Sequence, residues 1–189
     1  MKIIIAMIFL FISGCTLHQK NIMSQKEITQ RVDNLMTEVY KFALSSESYV
    51  HEHGRQLTEN ELKYAKSIGI KYPEKIRVLL TKNFPVPQNK EVLNGFKELG
   101  YDSILVAGVT YGHSIFIKPS WLPNWLYNKD AILAHELVHV RQVEETKNYK
   151  NFLRTYLIQA FTHEYFKIPY EQEAYESMKK FKGFDNENE

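Results

Sequence analysis

Apolar side chains recur at spacings of three and four along residues 25–48, at Ile28, Val32, Leu35, Met36, Val39 and Phe42. That period predicts a helix with one buried stripe. His51, Glu52, His53 and Gly54 follow, and read as a loop at its end. Thr58 and Glu61 have the spacing of a capping box, so a second, shorter helix starts there and stops near Gly69. Residues 75–81 (KIRVLLT) form a compact apolar run before the turn Pro85-Val86-Pro87, which predicts a strand. Residues 90–99 read as a helix ended by Gly100. Two β-rich runs, 103–111 and 113–118, meet around Gly112 and predict a hairpin. Pro119, Pro123, Trp121, Trp125 and Tyr127 make a stiff aromatic loop, for which core burial is the default and a place on the cleft wall or against lipid the alternative. Asp130 is placed to cap a strongly apolar helix over 130–143. Another helix covers 149–162, and Pro169 opens a last one that runs to about Phe181 and ends by Gly183. Helices, then a small β-region, then helices predict an α+β domain over residues 25–189, with a small, mainly antiparallel sheet packed against helices.

Composition narrows this reading. Hydrophobic residues make up 44% of the 189-residue chain, enough for a packed core. The net charge is +2, with no long basic run, so nucleic acid is not an expected partner. The first residues behave differently from the rest. Lys2 is followed by an apolar run from Ile3 to Ile12, too short to span a bilayer, and then by Ser13-Gly14-Cys15. Ile12-Ser13-Gly14-Cys15 resembles a bacterial lipobox. The resemblance implies a signal peptide over 1–14, a diacylglycerol on the Cys15 thiol and a tether over 15–24. Cys15 is the single cysteine, so acylation would leave no disulfide. The implied location is the cell envelope, with membrane attachment through the lipid. Thr16 stands where an inner-membrane retention signal would carry Asp, which favours the outer membrane in a Gram-negative cell.

The chemistry concentrates in HELVHVRQ, residues 135–142. On a helix, His135 and His139 lie one turn apart and present two imidazoles on one face, as a single Zn²⁺ requires. Glu136 is rotated by about 100°, clear of the ion but beside a water that the ion activates, where a carboxylate can serve as general base. Gln142 lies one further turn along the same face and can touch a ligand from behind. Chance alone would give a chain of this composition such a pentapeptide roughly 2% of the time. The setting adds weight. Ile132, Leu133, Ala134, Leu137, Val138, Val140 and Val143 surround the motif, and burying two histidines and a glutamate among them is costly unless they are paired or bind metal. A histidine pair satisfied by hydrogen bonds alone is the other reading.

A third ligand has to come from elsewhere, because position 145 is Glu145 and the HExxHxxGxxH arrangement is absent. The last helix offers Glu171 and Glu173 within Pro169-Tyr170-Glu171-Gln172-Glu173-Ala174-Tyr175. Residues two apart point to nearly opposite sides of a helix, so only one of them can reach the ion. Tyr175 and Met178 continue the face of Glu171, which favours it over Glu173.

HExxH followed some thirty residues later by a glutamate on a second helix resembles the gluzincin zinc metallopeptidases. HELVHVRQ with a later ExEA also resembles small predicted members of that group with HELxHxxQ. The resemblance spans about residues 104–178; the first hundred residues carry none of it. It implies a zincin-like fold and one zinc per chain held by His135, His139 and Glu171, with Glu136 as the base and Ala174 as a close-packing small residue. It also implies an edge strand before the site helix, matched to residues 113–118, that binds an extended substrate by main-chain pairing. Many gluzincins carry Asp after that alanine, where this chain has Tyr175.

Tyr170 and Tyr175 are candidate oxyanion donors, though core packing accounts for most tyrosines in a chain that has 12. His113 reads as a surface histidine with the cleft as the alternative, Arg141 as a partner for a carboxylate near the site or equally as part of a surface salt bridge, and His163-Glu164 as structural or exposed. The functional expectation is a lipid-anchored zinc metallopeptidase that hydrolyses amide bonds in envelope proteins or peptides. The alternative is a zincin-fold lipoprotein that binds or scaffolds without catalysis, which would have no need of Glu136.

Overall fold

A computed structural model describes residues 23–101, 106–119 and 128–184. Among these lie six α-helices and four short strands in one sheet: α1 (Gln25–His53), β1 (Arg55–Gln56), α2 (Glu59–Ser67), β2 (Arg77–Leu80), α3 (Lys90–Glu98), β3 (Gly108–Tyr111), β4 (Ser114–Ile117), α4 (Lys129–Glu145), α5 (Tyr149–Thr162) and α6 (Pro169–Lys180). The class is α+β, as the element order predicted. Cys15 and the rest of the leader, the start of the first β-run (103–105), and Trp121, Pro123, Trp125 and Tyr127 lie outside the described residues. Among the described residues, no helix is long and apolar enough to cross a membrane.

The long first helix starts where Ser24 and Glu27 form a reciprocal capping box. It buries Ile28, Val32, Met36, Val39, Ala43, Ser46 and Val50, a stripe at spacings of three and four. It also runs further than the sequence suggested. His51, Glu52 and His53 are its last turn rather than a loop, and His53 Nδ1 contacts the Tyr49 carbonyl one turn back at 2.8 Å. The Thr58–Glu61 box caps α2 as expected. The cap of α4 is Asn128, whose Oδ1 accepts from the backbone N–H groups of Asp130 and Ala131 at 3.1 and 3.0 Å. Asp130 instead lies in the first turn, where its charge suits the positive end of the helix dipole.

The sheet order is β1-β2-β4-β3. β1 and β2 are antiparallel, as are β3 and β4, while β2 and β4 run parallel with Val78 opposite Ile115. The sheet is therefore mixed, with two of its three pairings antiparallel, in line with the mainly antiparallel sheet expected. The intervening α3 and β3 supply the long crossover that a parallel pair needs. The turn between β3 and β4 holds Gly112 at φ 61°, a conformation glycine adopts at little cost. This order also moves the predicted substrate edge. Residues 113–118 form the interior strand β4, and the edge facing the site is β3.

All four residues of β4 are buried because helices cover both sides of the sheet. Phe116 joins α1, α3 and α5 in one apolar cluster. Ile115 and Ile117 join Leu133, Ala134, Leu137 and Val140 of α4 in the other. α4 consequently lies in the interior, against β3, β4, α5 and α6, which is why its sequence is apolar nearly all round.

Candidate metal centre

His135, His139 and Glu171 come together between α4 and α6, and all three are buried. His135 Nε2 lies 3.1 Å from Glu171 Oε2, His139 Nε2 lies 3.4 Å from Glu171 Oε1, and the two Nε2 atoms are 3.2 Å apart. A tetrahedral zinc with bonds of about 2.0–2.1 Å separates its ligand atoms by about 3.3–3.4 Å. The three side chains therefore already span one face of such a tetrahedron.

Hydrogen bonds on the far side of His139 fit the same picture. Gln142 Nε2 donates to the Tyr170 carbonyl at 3.1 Å and to Glu173 Oε2 at 2.7 Å. Its Oε1 therefore faces His139 Nδ1, at 2.8 Å, and accepts a hydrogen bond from that N–H. Neutral His139 then turns a bare Nε2 lone pair toward Glu171, so the arrangement calls for a cation between them. A proton can play that part: burial works against it, but Glu171 wins and pushes the His139 pKa up to about 9. A divalent ion would supply two positive charges to a pocket that buries two carboxylates, Glu171 and Glu136. The residues present fit a metal.

Glu171 is held from both sides. Tyr156 on α5 donates to its Oε1 at 2.7 Å, and Tyr165, in a 3-10 turn before α6, donates to Oε2 at 3.2 Å. Burial alone would raise its pKa, but His135 and His139 hold the carboxyl far below the usual range. Glu136 faces the other way, toward the sheet. Its Oε2 accepts from Thr110 Oγ1 at 2.7 Å, and burial pushes its pKa up against the pull of His139 and His135. The carboxylate packs on the Cα of Gly108, where a Cβ would collide with Oε1, Cδ and Cγ.

The remaining sequence candidates separate cleanly. Glu173 is not among the converging ligands; it is ion-paired with Arg141 and accepts from Gln142 Nε2. Tyr170 stacks on Tyr156 and offers the site its carbonyl rather than its hydroxyl. Tyr175 packs edge-on against the His135 ring at a centroid distance of 4.7 Å. His113 points away from the cleft and contacts Glu144 at 2.9 Å, and that carboxylate also accepts from Lys71 N and Tyr72 N. His163 is exposed. Tyr156, Tyr165 and Thr110 carry no sequence signal, since each reaches the site through tertiary packing. Gly108 did offer one, because a glycine at the start of a strand marks a place where something approaches the backbone closely.

The site forms part of the floor of a cleft of about 1150 Å³ between α1, α3, α5 and β3. Apolar side chains dominate its walls, among them Ile28, Phe96, Leu99, Leu157 and Phe161. Comparison with family models, curated proteins and solved structures found no match.

Proposed function

We propose that the protein is a zinc-dependent hydrolase of amide bonds, a small metallopeptidase of the zincin type that resembles the gluzincins. The observation that carries this reading is the buried convergence of His135, His139 and Glu171 with Glu136 beside them at the foot of an apolar cleft. An ion held by these ligands supplies Lewis acidity, polarising a carbonyl and acidifying water. Glu136 takes the proton of the attacking water and passes it to the leaving nitrogen. Thr110 fixes one oxygen of that carboxylate, and the burial that raises its pKa suits a group that must both accept and return a proton. Thr110 belongs to β3, so the strand that would pair with an extended peptide also positions the base. The apolar walls of the cleft suit hydrophobic side chains on either side of the cleaved bond.

The lipobox-like Ile12-Ser13-Gly14-Cys15 supports a second part of the proposal: the mature chain begins at Cys15 and is anchored by lipid in the cell envelope, where proteins or peptides are its substrates. Labelled palmitate incorporated by cells expressing the wild type, and lost in Cys15→Ser, would support that anchor. Label retained in the variant would refute it.

The volume and apolar lining of the cleft also favour a second reading, a binding module that captures an apolar segment without cutting it. Glu136→Gln separates the two readings. With one zinc per chain by elemental analysis in wild type and in Glu136→Gln, and none in His139→Ala, hydrolysis of a peptide library should occur only with the wild type. Zinc bound by the wild type with no cleavage above the Glu136→Gln background would turn the assignment to binding. A folded wild type that takes up no zinc when supplied with it would end the enzyme reading.

A further inference from the structure

The two acids of Tyr170-Glu171-Gln172-Glu173 face different sides of the same site. We infer that Glu173 is a positioning residue that sets the tautomer of His139 through the side-chain amide of Gln142. This inference rests on the metal-site reading above.

Four groups form the relay. Arg141 donates to Glu173 Oε1, Glu173 Oε2 accepts from Gln142 Nε2 at 2.7 Å, and Gln142 Oε1 accepts from His139 Nδ1 at 2.8 Å. Gln142 is 1% exposed, so its amide cannot exchange these partners for water. Rotated by 180°, it would turn its oxygen toward the Tyr170 carbonyl and the Glu173 carboxylate, both acceptors. It would also offer an N–H to His139 Nδ1, which would then have to give up its own hydrogen. The hydrogen of a neutral ring would move to Nε2, the atom that faces His135 and Glu171, and that nitrogen could no longer bind an ion. The acceptor-only carboxylate of Glu173 thus keeps the amide in the orientation that leaves Nε2 free. Outer partners of this kind typically change metal affinity by 10–100-fold. The Glu173 side chain is 45% exposed, so water can partly take its place, and its effect belongs at the lower end of that range.

The test is a polarity swap in the purified full chain, read by competitive zinc titration. Glu173→Ala should weaken zinc binding about tenfold, whereas Glu173→Gln, which can still present an oxygen to the amide, should stay within about threefold of wild type. Gln142→Glu alone places two carboxylates where one hydrogen bond ran and should weaken binding. The double variant Gln142→Glu/Glu173→Gln rebuilds that bond with its polarity reversed and should recover most of the loss. In the zinc-loaded wild type the His139 Nδ1 proton should give a downfield resonance that exchanges slowly with water, and that exchange should quicken in Glu173→Ala. A general loss of folding would not yield recovery in the double variant. Wild-type zinc affinity in both Glu173→Ala and Gln142→Glu would overturn the relay and leave the metal site standing. A wild type that binds no zinc would overturn the metal-site reading itself.

Discussion

Gly108 and Glu136 illustrate how little slack the site has. The Glu136 carboxylate rests on the glycine Cα, and a single added methyl group would collide with three of its side-chain atoms. The three atoms nearest to such a methyl group all belong to Glu136, so Gly108→Ala should leave zinc content at one per chain while pushing the proposed base out of line. A displacement of about 1 Å in a catalytic group can cost on the order of 100-fold. We expect a loss of that size in kcat/KM for peptide cleavage, with metal content by elemental analysis unchanged. Loss of zinc together with activity would mean that the strand also shapes the ligand set. Tyr156 makes the complementary case. Its hydroxyl binds Glu171 Oε1 and not the base, so Tyr156→Phe should weaken zinc binding by about tenfold. The accompanying stability loss should be about 1.5–3 kcal/mol, the usual worth of a hydrogen bond to a charged group. Competitive zinc titration together with urea unfolding would measure both.

Among the elements, α2 is anchored by its first turn. Glu61 accepts from Thr58 N at 2.7 Å, and Arg55 of β1 forks onto both of its oxygens, each at 2.7 Å. Burial alone would raise the Glu61 pKa, yet these donors hold it below the usual carboxylate range. A lowered folded-state pKa contributes stability that is present above the unfolded value and lost as pH falls through the folded one. Glu61→Gln should therefore cost about 1–2 kcal/mol at pH 7, and the gap to wild type should narrow below about pH 4. Urea unfolding at pH 7 and pH 3.5 checks this, and a gap independent of pH would show that the charge is not what anchors the turn. The Thr58–Glu61 box was legible because capping is local. So were α5, whose bounds match the predicted 149–162, and the helical face shared by His135 and His139. β1 was not, since two exposed residues hold no pattern and pair only because Arg55 and Gln56 lie beside β2. The parallel pairing of β2 with β4 depends on the path of the chain between them, and no residue within either strand records it. Helical spacing established that Glu171 and Glu173 could not both be ligands. The docking of α6 on α4 turns Glu171 inward and gives Glu173 to Arg141 and Gln142.

Across the whole molecule, a bound ion would join two helices that already hold each other. α4 and α6 pack closely, and Gln142–Tyr170, Gln142–Glu173 and Arg141–Glu173 bridge them without metal. Two apolar clusters, one toward α1 and one toward α4, flank the sheet, and neither includes His135, His139 or Glu171. The protein should therefore fold without metal, unlike small zinc modules whose core is the ion itself. Binding still adds stability by mass action, about 4 kcal/mol at a free zinc concentration a thousandfold above Kd. In a domain of 150–250 residues, each kcal/mol raises Tm by about 2–4 °C. Calorimetry should accordingly show zinc raising Tm by about 10 °C, chelation returning it to the metal-free value, and far-UV circular dichroism unchanged throughout. His139→Ala should show no zinc-dependent shift. Collapse of the dichroism on chelation would mean that the α4–α6 contact depends on the ion. The fold would then be completed by its metal, and activity lost in any ligand variant would have to be read first as lost structure.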